Sequence, residues 1–383
     1  MIESRTEGFV APGFDNVARA FAENFERFGE VGAACCVYRD GKVAVDLNGG
    51  VTTPGGPKPY IAETLQMVMS STKGVVAVAA HMLAQEGKLD FDAPVTRYWP
   101  DFAAEGKQDM PVRWLFSHRA GLPAIDRQLT IDDVYAWTPV VDALAAQRPL
   151  WEPNTAHGYH VGTFGWLAGE IVRRVAGTSV GKFVEERITV PLNLDLWIGL
   201  PEAMEDRVAP MLAPPPLPPG AEVDIFTARM FDPSTLLHRA FVNPPMPAPV
   251  FNERAFHAAE IPAANGITNA RSLARMYAAC IGEVDRVRLL NPQTVEAAKG
   301  VQSAGEDLVL GYETRFATGF QLSFPFRPMA GEGSFGHYGM GGSVGFAHPG
   351  KGIAFGYTMN QMLPSGGVDP RTRNLVEALL SSL

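Results

Sequence analysis

Hydrophobic positions along this chain switch between a helical and a strand-like spacing. Residues 13–28 (GFDNVARAFAENFERF) place Phe14, Val17, Phe21, Phe25 and Phe28 near a 3.6-residue period, which predicts an amphipathic helix. Residues 33–39 and 42–47 read as two strands joined by Asp40-Gly41, a dipeptide that favours a tight hairpin turn. An apolar helix follows near 70–86 and ends around Gly87, before the turn-rich segment LDFDAPVTRYWPDF. From about 110 to 300 the pattern is mostly helical and broken by loops. Strands return with TGFQLSF at 318–324, the glycine-rich FGHYGMGGSVGFAHP at 335–349 and GIAFGYTMNQM at 352–362, and a last helix closes the chain near 369–382.

Strands at both ends with helices between them predict an α+β fold. The N- and C-terminal segments form one antiparallel sheet flanked by helices, and a mainly helical domain is inserted between them. The expected division is residues 1–95 with 300–383 for the α/β part and 96–299 for the helical part, with an active site in the crevice between the two. Thirteen of the 31 prolines fall between Pro201 and Pro262, including the run APPPLPPG at 213–220. Phe226, Met230, Phe231, Phe241, Phe251 and Phe256 surround that run, so the 201–262 segment reads as a packed extended insertion, a lid or pocket wall, rather than a flexible linker.

Composition narrows the functional classes. At 46% hydrophobic and 19% charged over 383 residues the chain has ordinary globular composition, which excludes overall disorder. A formal charge of −9, without any cluster of Lys and Arg, argues against a nucleic-acid partner. The start, MIESRTEGFVAPGF, has no basic region followed by an apolar one, and no segment approaches the roughly 18 apolar residues of a membrane span. The expectation is a soluble, cytoplasmic protein with no membrane partner. Cys35 and Cys36 are neighbours in a strand-like segment and read as small core residues; Cys280 stands alone.

Candidate chemistry begins at Ser70-Ser71-Thr72-Lys73, where the apolar helix starts. Residues i and i+3 share a helix face, so the Lys73 ammonium can reach the Ser70 hydroxyl, and burial there lowers a lysine pKa enough for it to take a proton. By itself S-x-x-K is a weak signal, because serine is also a common helix cap. Two later motifs change the balance: Tyr159 in WEPNTAHGYHVGTFGWLAGE, and His337-Tyr338-Gly339 in the glycine-rich C-terminal segment.

The ordered set of S-x-x-K, Y-x-x and H-x-G resembles the penicillin-recognising serine enzymes, and among them most closely the family VIII carboxylesterases, which share the fold of class C β-lactamases. The resemblance runs through VGAACCVYRDGKVAVDLNGG, SSTKG, LFSHRAGLP, GYHVGTFGWLAGEIVRRVAG and FGHYGMGGSVGFAHP. It implies that Ser70 is the nucleophile, Lys73 its proton partner, and Tyr159 a general base whose phenol a neighbouring cation, Lys73, must depress. It further implies an oxyanion hole from the backbone N–H groups of Ser70 and Met340, with His337, Tyr338 and Gly339 contacting substrate. Two positions depart from the lactamase pattern. Val161 stands where those enzymes carry the Asn of Y-x-N, and H-Y-G replaces K-T-G, which removes polar groups that hold a lactam and its carboxylate and favours esters.

Other motifs carry less. Gly341-Gly342-Ser343-Val344-Gly345 matches a G-x-S-x-G elbow, yet only 40 residues follow Ser343, too few for the rest of such a fold. His157 and His160 form an H-x-x-H pair without a third ligand at metal-site spacing. His118 reads as a structural residue tying a helix end to the Ala120-Gly121 turn, and Thr268 or Asn269 as a helix cap. The expectation is a cofactor-free, metal-free serine carboxylesterase for small, short-chain acyl esters, working through a Ser70 acyl-enzyme. A β-lactamase or DD-peptidase-type amidase on the same fold is the alternative, and a non-catalytic binding protein a more distant one. Oligomeric state leaves no trace in the sequence.

Overall fold

Asp40 and Gly41 both adopt positive φ (48° and 77°), the turn geometry whose twist matches the flanking strands. In the computed structural model, which describes residues 6–216, 220, 222–363 and 369–383, this hairpin is the N-terminal half of a nine-stranded antiparallel sheet. Its N-terminal strands are β1 (Thr6–Val10), β2 (Gly32–Arg39) and β3 (Lys42–Gly50). A small separate sheet holds β4 (Gln66–Met67), β5 (Leu196–Trp197) and β6 (Ile267–Thr268). The remaining strands are β7 (Ser303–Glu306), β8 (Glu313–Phe316), β9 (Gln321–Leu322), β10 (Phe335–Tyr338), β11 (Val344–His348) and β12 (Ile353–Met359). The order β1-β3-β2-β12-β11-β10-β9-β8-β7 seats the last strand of the chain beside β2, so both chain ends build one sheet, as the pattern predicted.

Two faces of that sheet carry different partners. Gly345 and Gly356 pair across β11 and β12 and face the helix Ala270–Ile281, which approaches so closely that a Cβ on Gly356 would stand 2.3 Å from the Ala270 carbonyl oxygen. On the opposite face Tyr357 reaches Glu30, and the helices Asp15–Arg27 and Pro370–Leu380 pack together. Arg371 is wholly buried there between Glu30 at 3.0 Å and Asp369 at 2.8 Å. Cys35 and Cys36 are buried strand residues with free thiols.

The helical part centres on two helices lying side by side, Thr72–Gln85 and Thr163–Ala176. Nearly every residue of Thr72–Leu83 is buried, which suits a run of Ala and Val without charge other than Lys73. Glu170 is held in the interior by the Trp137 indole N–H at 2.8 Å and by Arg173 and Arg174. No helix among the described residues is long and apolar enough to cross a membrane.

Several expectations shift. The helix Ala270–Ile281, which the sequence pattern placed in the helical part, lies on the sheet instead, because its Leu273 and Tyr277 fill the space above Gly345. Segment 318–324 contributes only the two residues of β9, and 335–349 is a hairpin, with the positive φ of Gly341 and Gly342 supplying its turn. His118 does not tie its helix to the Ala120-Gly121 turn; it takes a left-handed φ of 62° and bonds to residues 158 and 160. Asn269 does cap its helix, accepting from the Ser272 N–H at 2.8 Å. Of the proline run, residues 217–219 lie outside the described residues.

Candidate active site

Ser70 sits at a corner. Met69 carries a left-handed φ of 47°, a conformation uncommon for a residue with a side chain, and the chain passes from it into one 3-10 turn and then the helix Thr72–Gln85. Neighbouring hydroxyls hold this corner in place. Thr72 Oγ1 donates to the Met69 carbonyl at 2.6 Å and accepts from the Gly266 N–H at 2.8 Å; Ser71 Oγ donates to the His337 carbonyl at 3.1 Å; Ser343 Oγ donates to the Val68 carbonyl at 2.8 Å. Ser343 is therefore a structural clamp between the corner and the β10–β11 hairpin.

Lys73 is fully buried one turn along the helix, with Nζ 3.1 Å from Ser70 Oγ, 2.7 Å from the Val161 carbonyl oxygen and 2.9 Å from that of Ala263. Carbonyl oxygens only accept, so two N–H bonds are committed to them. Burial drives the lysine pKa well below its ordinary value. In the neutral amine the position left facing Ser70 is the nitrogen lone pair.

Tyr159 reaches the same corner from the helical part, its ring 5.0 Å from Lys73 Nζ and its side chain lining the same cleft as Ser70. Three consecutive amides pin its segment. The Gly158 N–H donates to the His118 carbonyl at 3.0 Å, the Tyr159 N–H to both oxygens of Asp307 at 3.0 Å, and the His160 N–H to His118 Nδ1 at 3.1 Å. The Tyr159 ring stacks on Phe316. Asp307, wholly buried, also accepts from the Val309 and Leu310 amides and the Thr314 hydroxyl. Sequence reasoning missed both anchoring roles; the one available signal for Asp307 was the acidic pair Glu306-Asp307 ahead of the apolar run Leu308-Val309-Leu310.

The phenol departs from expectation. Burial raises its pKa, and the neighbouring Ser70 hydroxyl and the Arg327 charge oppose that rise without reversing it. Near neutrality Tyr159 is thus a protonated hydroxyl rather than a phenolate base.

His337 and Met340 come from the β10–β11 hairpin. His337 Nδ1 lies 2.7 Å from the Tyr338 carbonyl oxygen and must donate to it, which leaves Nε2 as an acceptor without a partner among the described residues. Burial pushes this imidazole down to about 3, so it is neutral at ordinary pH. Neither the Ser70 nor the Met340 backbone N–H has an acceptor among the described residues, and both residues line the same cleft. Phe226, Phe241, Met246 and Phe251, all from the 201–262 segment, form the facing wall.

Gly339 lets the hairpin approach the corner. A Cβ there would stand 2.3 Å from the Val68 carbonyl oxygen and 2.1 Å from Ser343 Oγ, so Gly339→Ala must push the Met340 turn away from Ser70. The expected result is a loss of about 2 kcal/mol of stability in thermal melts, with ester turnover reduced about 100-fold or more. His157 and His160 are committed elsewhere, to Thr314 Oγ1 at 2.9 Å and to the Leu122 N–H at 3.0 Å respectively.

A hydroxyl, an amine and a phenol meeting at a cleft between an antiparallel sheet and a helical bundle describe a serine hydrolase of beta-lactamase-like fold. The chain belongs to the Beta-lactamase family, which it matches over residues 18–380. It is 35% identical over 366 residues to the Esterase/beta-lactamase LipL of Mycobacterium tuberculosis (strain ATCC 25618 / H37Rv), covering 94% of this chain and 84% of that protein. Among solved structures it resembles a family VIII carboxylesterase (TM-score 0.90, 36% identity, 99% of this chain and 100% of the other). It also resembles a penicillin-binding protein homolog from Caulobacter crescentus (TM-score 0.86, 36% identity, 99% and 100%).

Proposed function

We propose that this protein is a carboxylesterase that hydrolyses short-chain acyl esters through an acyl-enzyme on Ser70. The observation that carries the proposal is the Lys73 amine, buried, bonded to two carbonyl oxygens and facing the Ser70 hydroxyl at 3.1 Å. Neutral Lys73 takes the Ser70 proton as Oγ attacks the ester carbonyl, and the unpaired Ser70 and Met340 N–H groups receive the developing oxyanion. When the C–O bond to the alcohol breaks, the protonated Tyr159 phenol gives its proton to the departing alkoxide and is refilled from Lys73. Water then repeats the sequence: its proton passes to the Tyr159–Lys73 pair, its oxygen bonds to the acyl carbon, and Ser70 recovers its proton as the acid leaves.

Esters fit the cleft better than lactams do. His337 offers a neutral acceptor where a lactamase presents a cation, and the apolar Val161 side chain stands in place of an amide. The test compares a nitrophenyl butyrate with a chromogenic cephalosporin. Ester kcat/KM is expected to exceed lactam kcat/KM by several orders of magnitude; the reverse order would make the enzyme a lactamase.

Tyr159→Phe is expected to lower kcat for alkyl esters by about 10²–10⁴-fold, the usual contribution of a positioned acid. Activated nitrophenyl esters, whose leaving group needs no proton, should suffer much less. An equal loss on both would remove the leaving-group role.

A further inference from the structure

Arg327 is a cation in the substrate cleft for which the chemistry above has no use. It ends a tight turn, its N–H donating to the Phe324 carbonyl at 2.8 Å, and its guanidinium lies 5.1 Å over the Tyr338 ring. Several other arginines find carboxylates: Arg173 and Arg174 have Glu170, Arg207 has Asp195, Arg254 has Glu205, and the buried Arg371 has Glu30 and Asp369, while Arg119 and Arg229 bond backbone carbonyl oxygens. Among the described residues no carboxylate comes into ion-pair range of Arg327. The acids whose charge is felt at Tyr312 are Asp307, which accepts from the Tyr159, Val309 and Leu310 amides, and Asp224, which accepts from the Phe226 and Thr227 amides and the Thr227 hydroxyl. Lys73 lies buried behind the cleft wall, bonded to two carbonyl oxygens, so among the described residues lining the cleft Arg327 is the cation that a bound ligand meets.

The cleft wall has two halves. Phe226, Phe241, Leu310 and Tyr312 pack around Tyr159, whereas Met246, Phe251 and Met340 pack on the main core. An ester whose carbonyl oxygen sits between the Ser70 and Met340 N–H groups places its acyl chain on the second half and its alcohol oxygen against Tyr159. Arg327 borders the alcohol side: it lines the cleft beside Tyr312, whose ring packs on neighbouring Phe326, and lies over Tyr338. A planar guanidinium with free N–H donors on a partly desolvated wall matches a carboxylate.

We propose that Arg327 binds a carboxylate carried on the alcohol half of the ester, so that the substrate class is acyl esters of hydroxy acids. The inference rests on the esterase reading, and it names which ester the site selects. With 3-acetoxybenzoate the bond between the acetyl carbon and the phenolic oxygen breaks, the acetyl group passes to Ser70 and then to water, and 3-hydroxybenzoate leaves with the proton.

The experiment measures kcat/KM for 3-acetoxybenzoate and for its neutral methyl ester in wild type, Arg327→Gln and Arg327→Lys. Every rate is normalised to the Ser70 titrated by a serine-directed phosphonate, so a misfolded fraction does not count. The anionic-to-neutral ratio is expected to fall about 10- to 100-fold in Arg327→Gln and less in Arg327→Lys, which keeps the charge without the fork. A ratio that is the same in all three proteins overturns the role of Arg327 and leaves the esterase reading standing. No turnover of either ester together with no phosphonate labelling overturns both.

Discussion

Ser70→Ala is expected to lose ester turnover by about 10⁴-fold or more and to lose covalent labelling by a phosphonate, while its melting temperature stays close to wild type. The fold should tolerate the change because the corner is held by Thr72, Ser71 and Ser343, not by the Ser70 hydroxyl. The Ser70 hydroxyl ties to Lys73, a group with two further acceptors. The remaining rate would come from the Ser70 and Met340 N–H groups and from binding in the cleft, neither of which needs the side chain. Retained turnover with a burst of acyl-enzyme would move the nucleophile elsewhere and dismantle the mechanism.

Lys73→Met is the second large effect. Methionine fills a similar volume but cannot accept a proton, so turnover is expected to fall about 10³-fold or more, with phosphonate labelling slowed in parallel. The sign of the stability change separates a catalytic lysine from a structural one. Burial lowers the folded-state pKa of Lys73, so below the ordinary lysine value the unfolded chain holds this proton more tightly than the folded one does. Lys73 therefore costs stability at neutral pH, a cost that shrinks as pH rises towards the ordinary lysine value. The variant should melt at or above the wild-type temperature at pH 7 even though two carbonyl oxygens lose a donor. In wild type the same ionisation forms the acid limb of kcat/KM against pH: activity rises as Lys73 loses its proton. His337, neutral down to about 3, adds no limb of its own near neutrality. A variant that is both inactive and strongly destabilised would mark Lys73 as a structural hub instead.

Much of the fold was legible along the chain. The Asp40-Gly41 turn needs positive φ at two successive residues, and that dipeptide tolerates it, so the hairpin could be read locally. The same holds for the amphipathic helix with Val17 and Phe21 on its buried side. Placement was harder where periodicity and packing pull apart. The helix Ala270–Ile281 has a helical pattern that says nothing about whether helices or a sheet receive its apolar face; Gly345 and Gly356, some 70 residues later, make the room that decides it. The Tyr159 anchors were invisible for a related reason, since His118 and Asp307 lie 41 and 148 residues away in sequence and meet the 158–160 amides only after folding.

By itself the sequence determined that Ser70 and Lys73 share a helix face, because i, i+3 geometry follows from backbone dihedrals alone. It also specified that strands from both ends must pair, since neither end has enough of them to close a sheet. Only the tertiary structure decided the protonation states on which the chemistry turns. Burial lowers the Lys73 pKa and raises that of Tyr159, and that burial is contributed by residues far away in the chain. The same reason applies to Arg327, whose charge acquires meaning from the cleft around it and from the carboxylates that folding keeps out of its reach.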